Sequence, residues 1–193
     1  MFGLFGPKSR DLLKTLSEDN FENDQFRFGF AKFITIDGVK IWTQRLSYVG
    51  ELGYELYTDL KDAKKIYELL IEKGKDFNLS NCGMHAMDIM RMESGFLHWG
   101  HDISPEENQY QAGLAFTISN KKDVDFIGKQ ALEKIKQDKV KTRFSMFTLK
   151  ESEPGKPLLL HDEPIYDGDK IIGRSTSGNY SFNFKKNLVF GYI

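Results

Sequence analysis

The chain has 193 residues, of which 40% are hydrophobic and 28% are charged. These fractions are typical of a soluble globular protein and exclude an intrinsically disordered one. The 27 basic and 28 acidic residues nearly cancel, so neither nucleic acid nor a membrane is expected as a partner. A single cysteine excludes an internal disulfide and a cysteine-based zinc site. Together with the lack of any apolar run of membrane length, it predicts a cytoplasmic protein.

The first residues predict a strand and a helix. FGLF, at residues 2–5, reads as a strand whose pairing partners come from elsewhere in the fold. The Gly6-Pro7 corner then opens a helix with a buried leucine stripe, because proline is well tolerated in a first helical turn. Residues 18–31 are expected to be irregular.

A hairpin and two further helices follow. The stretch KFITIDGVKIWTQRLSYV alternates apolar and polar residues around Asp37-Gly38, a dipeptide that favours a tight hairpin turn. DLKDAKKIYELLIEKGK predicts a helix that ends at Gly74, and GMHAMDIMRMESG predicts a second one that ends at Gly95.

The second half of the chain changes in texture. We predict a loop followed by a strand in FLHWGHDISPEENQYQAGLAFTI, and then a helix in DFIGKQALEKIKQDKV whose charged end marks a domain boundary near residue 138. After residue 139 come short strands with turns, namely KTRFSMFTL, KPLLL, EPIYDGDKIIGRSTSG and NLVFGYI. This pattern is typical of a small antiparallel barrel or sandwich.

The segment RLSYVGELGYELY places aromatic and acidic residues around two glycines. If GELG forms a four-residue turn, Val49 pairs with Tyr54, and Tyr48 faces Glu55 on one side of the sheet. A phenol beside a carboxylate suits a planar heterocycle with two adjacent N–H donors, such as a pterin or guanine ring. The alternative is a partly exposed cross-strand pair that binds nothing.

Three stretches carry a resemblance to a known family: RLSYVGELGYELY, AMDIMRMESGFLHWGHDISPEENQYQAGLAFTI and DFIGKQAL. In this order they resemble the aminomethyltransferase, or glycine cleavage T-protein, family, and most of all the folate-binding portion of dimethylglycine and sarcosine dehydrogenases. The resemblance implies an α+β fold, with a mixed or antiparallel sheet and packed helices in a folate-binding domain over residues 1–138. A small C-terminal antiparallel β-barrel over residues 139–193 is expected to follow.

The resemblance also implies site residues. The folate-binding tyrosine and glutamate of the family fall on Tyr48 and Glu55, and the glutamate is expected to bind the pterin N3–H and 2-amino groups. Met87 stands where the T-protein itself has an arginine that assists folate binding. A thioether cannot replace a guanidinium, which favours the dehydrogenase branch. Trp99 is predicted either to line the folate cleft or to lie buried in the core.

The implied activity is one-carbon transfer. In the dehydrogenases FAD oxidises an N-methyl amine, and tetrahydrofolate takes up the one-carbon unit. The catalytic aspartate of the family and the FAD domain belong to regions upstream of the part that resembles this sequence, so no catalytic residue is assigned. The chain is expected to be truncated at both ends and to have the rest of a longer dehydrogenase chain as its partner. The alternatives are an aminomethyltransferase of the glycine cleavage system and a non-catalytic folate-binding module.

Other clusters favour structural roles. His98, His101 and Asp102 in HWGHD have spacings compatible with zinc, but a loop that caps neighbouring elements is favoured and no metal is predicted. Asp88 and Arg91 are expected to form a structural ion pair, since they lie three residues apart on a helix.

Three further patterns have no assigned function. The two lysines of NFKKN could contact the glutamate tail of a folate, but a solvated turn is favoured, and STSG predicts a turn before the last strand without a hydrolytic nucleophile. Three methionines at helical spacing predict adaptable core packing: Met84, Met87 and Met90.

Overall fold

The computed structural model describes residues 1–119, 124–138 and 140–193. The chain divides into two compact units, Met1–Ser94 and Gly95–Ile193, and each contains one four-stranded antiparallel sheet. Across the described ranges, no helix combines the length and the apolar character that crossing a membrane requires.

The first unit is a sheet with its first two helices packed on one face. Its sheet has the order β1-β4-β3-β2, so β1 lies at an edge and finds its partner in β4 of the same chain. The predicted first strand and the three predicted helices are confirmed. The elements are β1 (Phe2–Phe5), α1 (Ser9–Leu16), β2 (Ala31–Ile36), β3 (Val39–Gln44), β4 (Gly53–Tyr57), α2 (Leu60–Gly74) and α3 (Met84–Glu93).

The Asp37-Gly38 hairpin is confirmed. Ile36 pairs directly with Val39, so two residues connect β2 to β3. Both have positive φ angles, 45° at Asp37 and 76° at Gly38. A two-residue turn of this kind matches the twist of the flanking strands, and it fixes the register of the whole β2–β3 pair.

Alternation along the strands separates a core face from an outer face. On β4, Tyr54 and Leu56 are buried on the face that packs against α1 and α2, whereas Glu55 and Tyr57 project from the other face. The buried core of this unit combines residues of the strands, of α1 and α2, and of the irregular segment after α1: Leu4, Leu12, Leu13, Phe21, Phe26, Ile34, Ile36, Ile41, Tyr54, Leu56, Ile66 and Leu70.

Among its described residues, the second unit contains one α-helix and an antiparallel sheet with the order β5-β8-β7-β6. The predicted antiparallel character is confirmed, but within the described residues the sheet is open and does not close into a barrel. The elements are α4 (Lys129–Gln137), β5 (Phe144–Thr148), β6 (Pro164–Asp167), β7 (Lys170–Ser181) and β8 (Lys186–Tyr192). The turn predicted in NFKKN is confirmed for its first three residues, which lie in the β7–β8 turn, whereas Lys186 and the buried Asn187 begin β8.

Two predicted strands of this unit are wrong. The apolar run before residue 119 forms a 3₁₀ turn at Ala115–Thr117, where the Thr117 hydroxyl donates to the Leu114 carbonyl at 2.7 Å. In KPLLL the Leu160 carbonyl accepts a hydrogen bond from the Ser175 hydroxyl instead of a strand partner. Both runs are short and apolar, and hydrophobicity alone does not distinguish a strand from a turn that packs a few side chains.

The predicted turn at residues 175–178 is also wrong, because this stretch lies inside β7. Its backbone pairs with β8 on both sides of a register shift between Ser175 and Ser177. Serine, threonine and glycine are common in turns, which explains the prediction. Here a β-bulge uses them within a long strand instead.

Candidate functional site

The segment between β3 and β4 is a loop and not a hairpin extension. Glu55 pairs with Gln44 of β3 on one side and with Gly3 of β1 on the other, so the predicted register of Tyr48 opposite Glu55 is wrong. Residues 45–52 leave the ladder because β3 ends at Gln44 and β4 begins only at Gly53. Buried Val49 anchors this loop.

Tyr48 and Glu55 nevertheless meet at one cavity of about 560 Å³ in the first unit, which we call the Glu55 cavity. Met87 of α3 lines it as well, so three of the four residues predicted for folate binding lie together. The volume falls within the range of small-molecule sites, and both Tyr48 and Glu55 are half-buried. Most of the remaining wall is apolar and includes Phe2, Leu4, Phe5, Leu70, Ile71, Leu79 and Met90.

Phe5 forms an aromatic wall beside Glu55. Its ring lies over the two glycines Gly3 and Gly53. A Cβ atom added to Gly3 would lie 2.7 Å from two of the ring carbons. A Cβ atom added to Gly53 would overlap the ring. Gly3 pairs with Glu55 and Phe5 pairs with Gly53, so the ring covers a part of the sheet without side chains next to the carboxylate. No pattern in the sequence predicts that Phe5 contacts this site, because Phe5 is remote from Glu55 in the chain.

Tyr57 is a second contact that the sequence analysis missed. It lies two residues after Glu55 on β4 and therefore projects from the same face. Its hydroxyl donates a hydrogen bond to Glu55 Oε2 at 2.6 Å, a distance typical of a hydroxyl bound to a carboxylate. This hydrogen bond raises the pKa of Tyr57 above its ordinary value, and partial burial and the negative charge of Glu55 raise it further.

Polar groups also line the side of the Glu55 cavity formed by α2 and the loop after it. Tyr67 of α2 accepts a hydrogen bond from the Asn81 side chain at 2.7 Å, and its ring stacks on Phe2. Cys82 follows Asn81 on the same wall, and its thiol is exposed. The cavity therefore combines hydrogen-bonding groups at its rim with an apolar interior.

Two predictions for α3 have different outcomes. The Asp88–Arg91 ion pair is confirmed, because the Arg91 Nη2 and Nε atoms contact Asp88 Oδ1 at 2.8 and 2.9 Å. Core packing by the methionine stripe is wrong in part: Met84 is 71% exposed, whereas Met87 and Met90 line the cavity. The α3 residues that are buried are instead Ile89, Arg91 and Met92.

Trp99 lies in the second unit, where its side chain is 66% exposed. The prediction that Trp99 is a buried core residue is therefore wrong. Its backbone forms an isolated bridge with Ile103 inside the HWGHDI loop. Its predicted contact with folate stays a prediction.

Asp102 is the buried centre of the HWGHDI loop, with only 1% of its surface exposed. Its carboxylate accepts hydrogen bonds from the His98 amide at 2.9 Å, the Thr176 hydroxyl at 2.6 Å and the Ser177 hydroxyl at 2.7 Å. These contacts attach the loop to β7, as expected for a loop that caps neighbouring elements. Within the described ranges, no group of three or more metal-ligating side chains is placed to hold a metal ion.

Comparison with protein families decides what kind of protein this is. Residues 1–122 match the family described as the GCVT N-terminal domain, and residues 143–193 match the glycine cleavage T-protein C-terminal barrel domain. The chain belongs to the glycine cleavage T-protein family. The resemblance stated from the sequence is thereby confirmed.

The relatives of this family member fall into two groups. The human mitochondrial dimethylglycine dehydrogenase is 33% identical over the whole chain, and the 4-methylaminobutanoate oxidase (formaldehyde-forming) of Paenarthrobacter nicotinovorans is 39% identical over 92% of it. An aminomethyltransferase of Symbiobacterium thermophilum is 32% identical over the whole chain. The chain spans 22%, 21% and 51% of the lengths of these three proteins, respectively.

A solved structure supports the fold. The glycine cleavage system aminomethyltransferase T from Bartonella henselae matches 97% of this chain with a TM-score of 0.79. The match covers 49% of that protein, and the two sequences are 21% identical over it. The predicted α+β class with antiparallel sheets is confirmed. The predicted domain boundary near residue 138 stays a prediction.

Proposed function

We propose that the first unit binds a reduced folate in the Glu55 cavity. The longer protein that contains it would pass a one-carbon unit from an N-methyl amine, of the dimethylglycine or sarcosine type, to tetrahydrofolate in an FAD-dependent dehydrogenase. The observation that carries the proposal is that Tyr48, Glu55 and Met87, which come from a loop, a strand and a helix, line one cavity. Tetrahydrofolate supplies the nitrogen that accepts the one-carbon unit.

The residues of the cavity fit a pterin ring. A pterin is flat and mostly apolar on its faces, and it presents adjacent N–H donors at one edge. Glu55 supplies two acceptor oxygens for that edge, and Phe5 supplies a flat aromatic surface beside them. A charged carboxylate at the rim of an apolar cavity forms stronger hydrogen bonds than it does in water, because less solvent competes for its oxygens.

Each residue contributes binding or orientation. Glu55 would fix the ring in one orientation by accepting from two N–H groups, and Tyr48 and Phe5 would restrict its plane. Met87 and Met90 offer flexible, polarisable contacts that pack against an aromatic face. Holding the ring in one pose is itself a catalytic contribution, because a transfer reaction is faster when the acceptor atom is prepositioned.

Relatives of both kinds support a proposal of one-carbon chemistry, and Met87 favours the dehydrogenase kind. The aminomethyltransferase reading calls for a cationic side chain at this position, whereas the cavity wall carries a thioether. We therefore prefer the dehydrogenase as the longer protein and keep the aminomethyltransferase as the alternative. The cytoplasmic location stays a prediction, and the human dimethylglycine dehydrogenase is described as mitochondrial.

A titration tests the site. In calorimetry with 5-formyltetrahydrofolate, the purified full-length protein should bind, and Glu55→Gln should bind about 30-fold more weakly. An amide presents a donor where the ligand needs an acceptor, and hydrogen bonds to charged groups contribute about 2 kcal/mol. Glu51→Gln is the matched control, since Glu51 is exposed in the preceding loop and does not line the cavity. Equal affinities of wild type and Glu55→Gln, or no binding by the wild type, would refute the proposal.

A chemical footprint places the ligand independently. Cys82 is exposed and lines the cavity, so a bound folate should slow its alkylation by iodoacetamide. Mass spectrometry of the peptide that contains Cys82 measures the rate. Protection in the wild type that is lost in Glu55→Gln locates the ligand in the Glu55 cavity, whereas unchanged alkylation at saturating folate places it elsewhere.

A further inference from the structure

The side chain of Glu55 has two cross-strand partners and a hydrogen-bond partner, Tyr57. The residues paired with it are Gly3, which has no side chain, and Gln44. Among the described residues, Tyr57 is the side chain that hydrogen-bonds its carboxylate. Tyr57 is paired in register with Trp42 across the β3–β4 ladder, so the two side chains project from the same face of the sheet as Glu55.

We propose that Tyr57 is a positioning residue that orients the Glu55 carboxylate toward the pterin edge of a bound folate. This inference rests on the proposed function and names how its central group is held. A half-buried glutamate has several rotatable bonds, and fixing them on binding costs free energy. A hydrogen bond that fixes them beforehand reduces this cost for the ligand.

The hydrogen bond leaves the carboxylate able to bind. An ionised carboxylate has about four lone-pair positions on two oxygens, and the Tyr57 hydroxyl uses one of them at Oε2. Both oxygens keep a free position, as two adjacent N–H groups of the ligand require. A tyrosine hydroxyl with its ordinary pKa of about 10 is protonated at neutral pH, and the hydrogen bond to Glu55 raises the pKa of Tyr57 further, so the hydroxyl is a donor there.

The test compares two ligands with two proteins. Calorimetry measures the affinity of wild type and Tyr57→Phe for 5-formyltetrahydrofolate and for its analogue without the 2-amino group. Phenylalanine keeps the aromatic ring and removes the hydroxyl alone. We expect Tyr57→Phe to weaken the parent ligand about three- to tenfold, and to weaken the analogue less, because the analogue uses the carboxylate less. Tyr166→Phe, which removes an exposed phenol hydroxyl of the second unit, is the matched control.

The outcomes separate this inference from the proposed function. If the wild type binds the parent ligand and Tyr57→Phe binds it equally well, the positioning role is wrong while the site stands. If Tyr57→Phe weakens both ligands by the same factor, the hydroxyl acts on general structure, and the positioning role is again wrong. If the wild type binds neither ligand, the proposed function fails and this inference fails with it.

Discussion

Replacing Asp102 should release the HWGHDI loop from the second sheet. The carboxylate is buried and accepts from the His98 amide and from the hydroxyls of Thr176 and Ser177. Hydrogen bonds to a charged group contribute about 1.5–3 kcal/mol each, but the burial of the charge offsets several kcal/mol of this sum. Asp102→Ala is therefore expected to cost about 3 kcal/mol, since it removes the acceptor of three donors, two of which are buried hydroxyls.

Asp102→Asn should cost less than the alanine variant. An asparagine keeps the shape, and its carbonyl oxygen can still accept from the two hydroxyls. Its amino group, however, faces the His98 amide, which is also a donor. The expected cost is about 2 kcal/mol, because the hydrogen bond from the half-buried His98 amide is lost and two N–H donors then face each other.

Hydrogen exchange measured by mass spectrometry provides the assay, because it reports opening of this region in the intact protein. A loss of 3 kcal/mol corresponds to roughly 100-fold faster exchange of the amides in β7. Asp167→Asn is the control for Asp102→Asn: it makes the same substitution at an exposed position and should leave the exchange of the β7 amides unchanged. If exchange in Asp102→Ala stays within about twofold of the wild type, the carboxylate does not hold the loop and the reasoning is wrong.

Two further predictions follow from packing and from ionisation. Gly53→Ala should weaken folate binding and stability more than Gly3→Ala, by about 2 kcal/mol or more in calorimetry and thermal unfolding, since its Cβ meets a backbone carbonyl at 2.9 Å as well as the Phe5 ring. Equal losses of affinity and stability in Gly53→Ala and Gly3→Ala would show that the contact with the backbone carbonyl does not matter. Burial, with Glu107 and Asp102 nearby, raises the pKa of Tyr192 to about 12. A group whose pKa is raised by folding stabilises the protein below its ordinary pKa of about 10, and that contribution is lost as the pH rises to 12. The difference in unfolding free energy between wild type and Tyr192→Phe should therefore shrink over this interval, and a constant difference would refute the assignment.

The sequence alone determined the elements whose signals are local. Positive-φ residues at Asp37-Gly38 specify their turn whatever surrounds it, and helical periodicity with terminal glycines specifies α2 and α3. The motif around Tyr48 and Glu55 and the two stretches that follow it were together sufficient to identify the family, because the order of several motifs along the chain is itself specific.

The tertiary structure decided what depends on partners distant in the chain. Glu55 pairs with Gly3 and Gln44 on the neighbouring strands. The pairing with Tyr48, which was predicted from its closeness in sequence, is therefore wrong. The aromatic wall of Phe5 exists because β1 lies beside β4, and no pattern within either strand reveals that neighbour. Asp102 likewise acquired its structural role only when β7, more than seventy residues later, brought two hydroxyls to it. Local periodicity encodes which face a residue occupies, whereas strand pairing brings the residues of one site together.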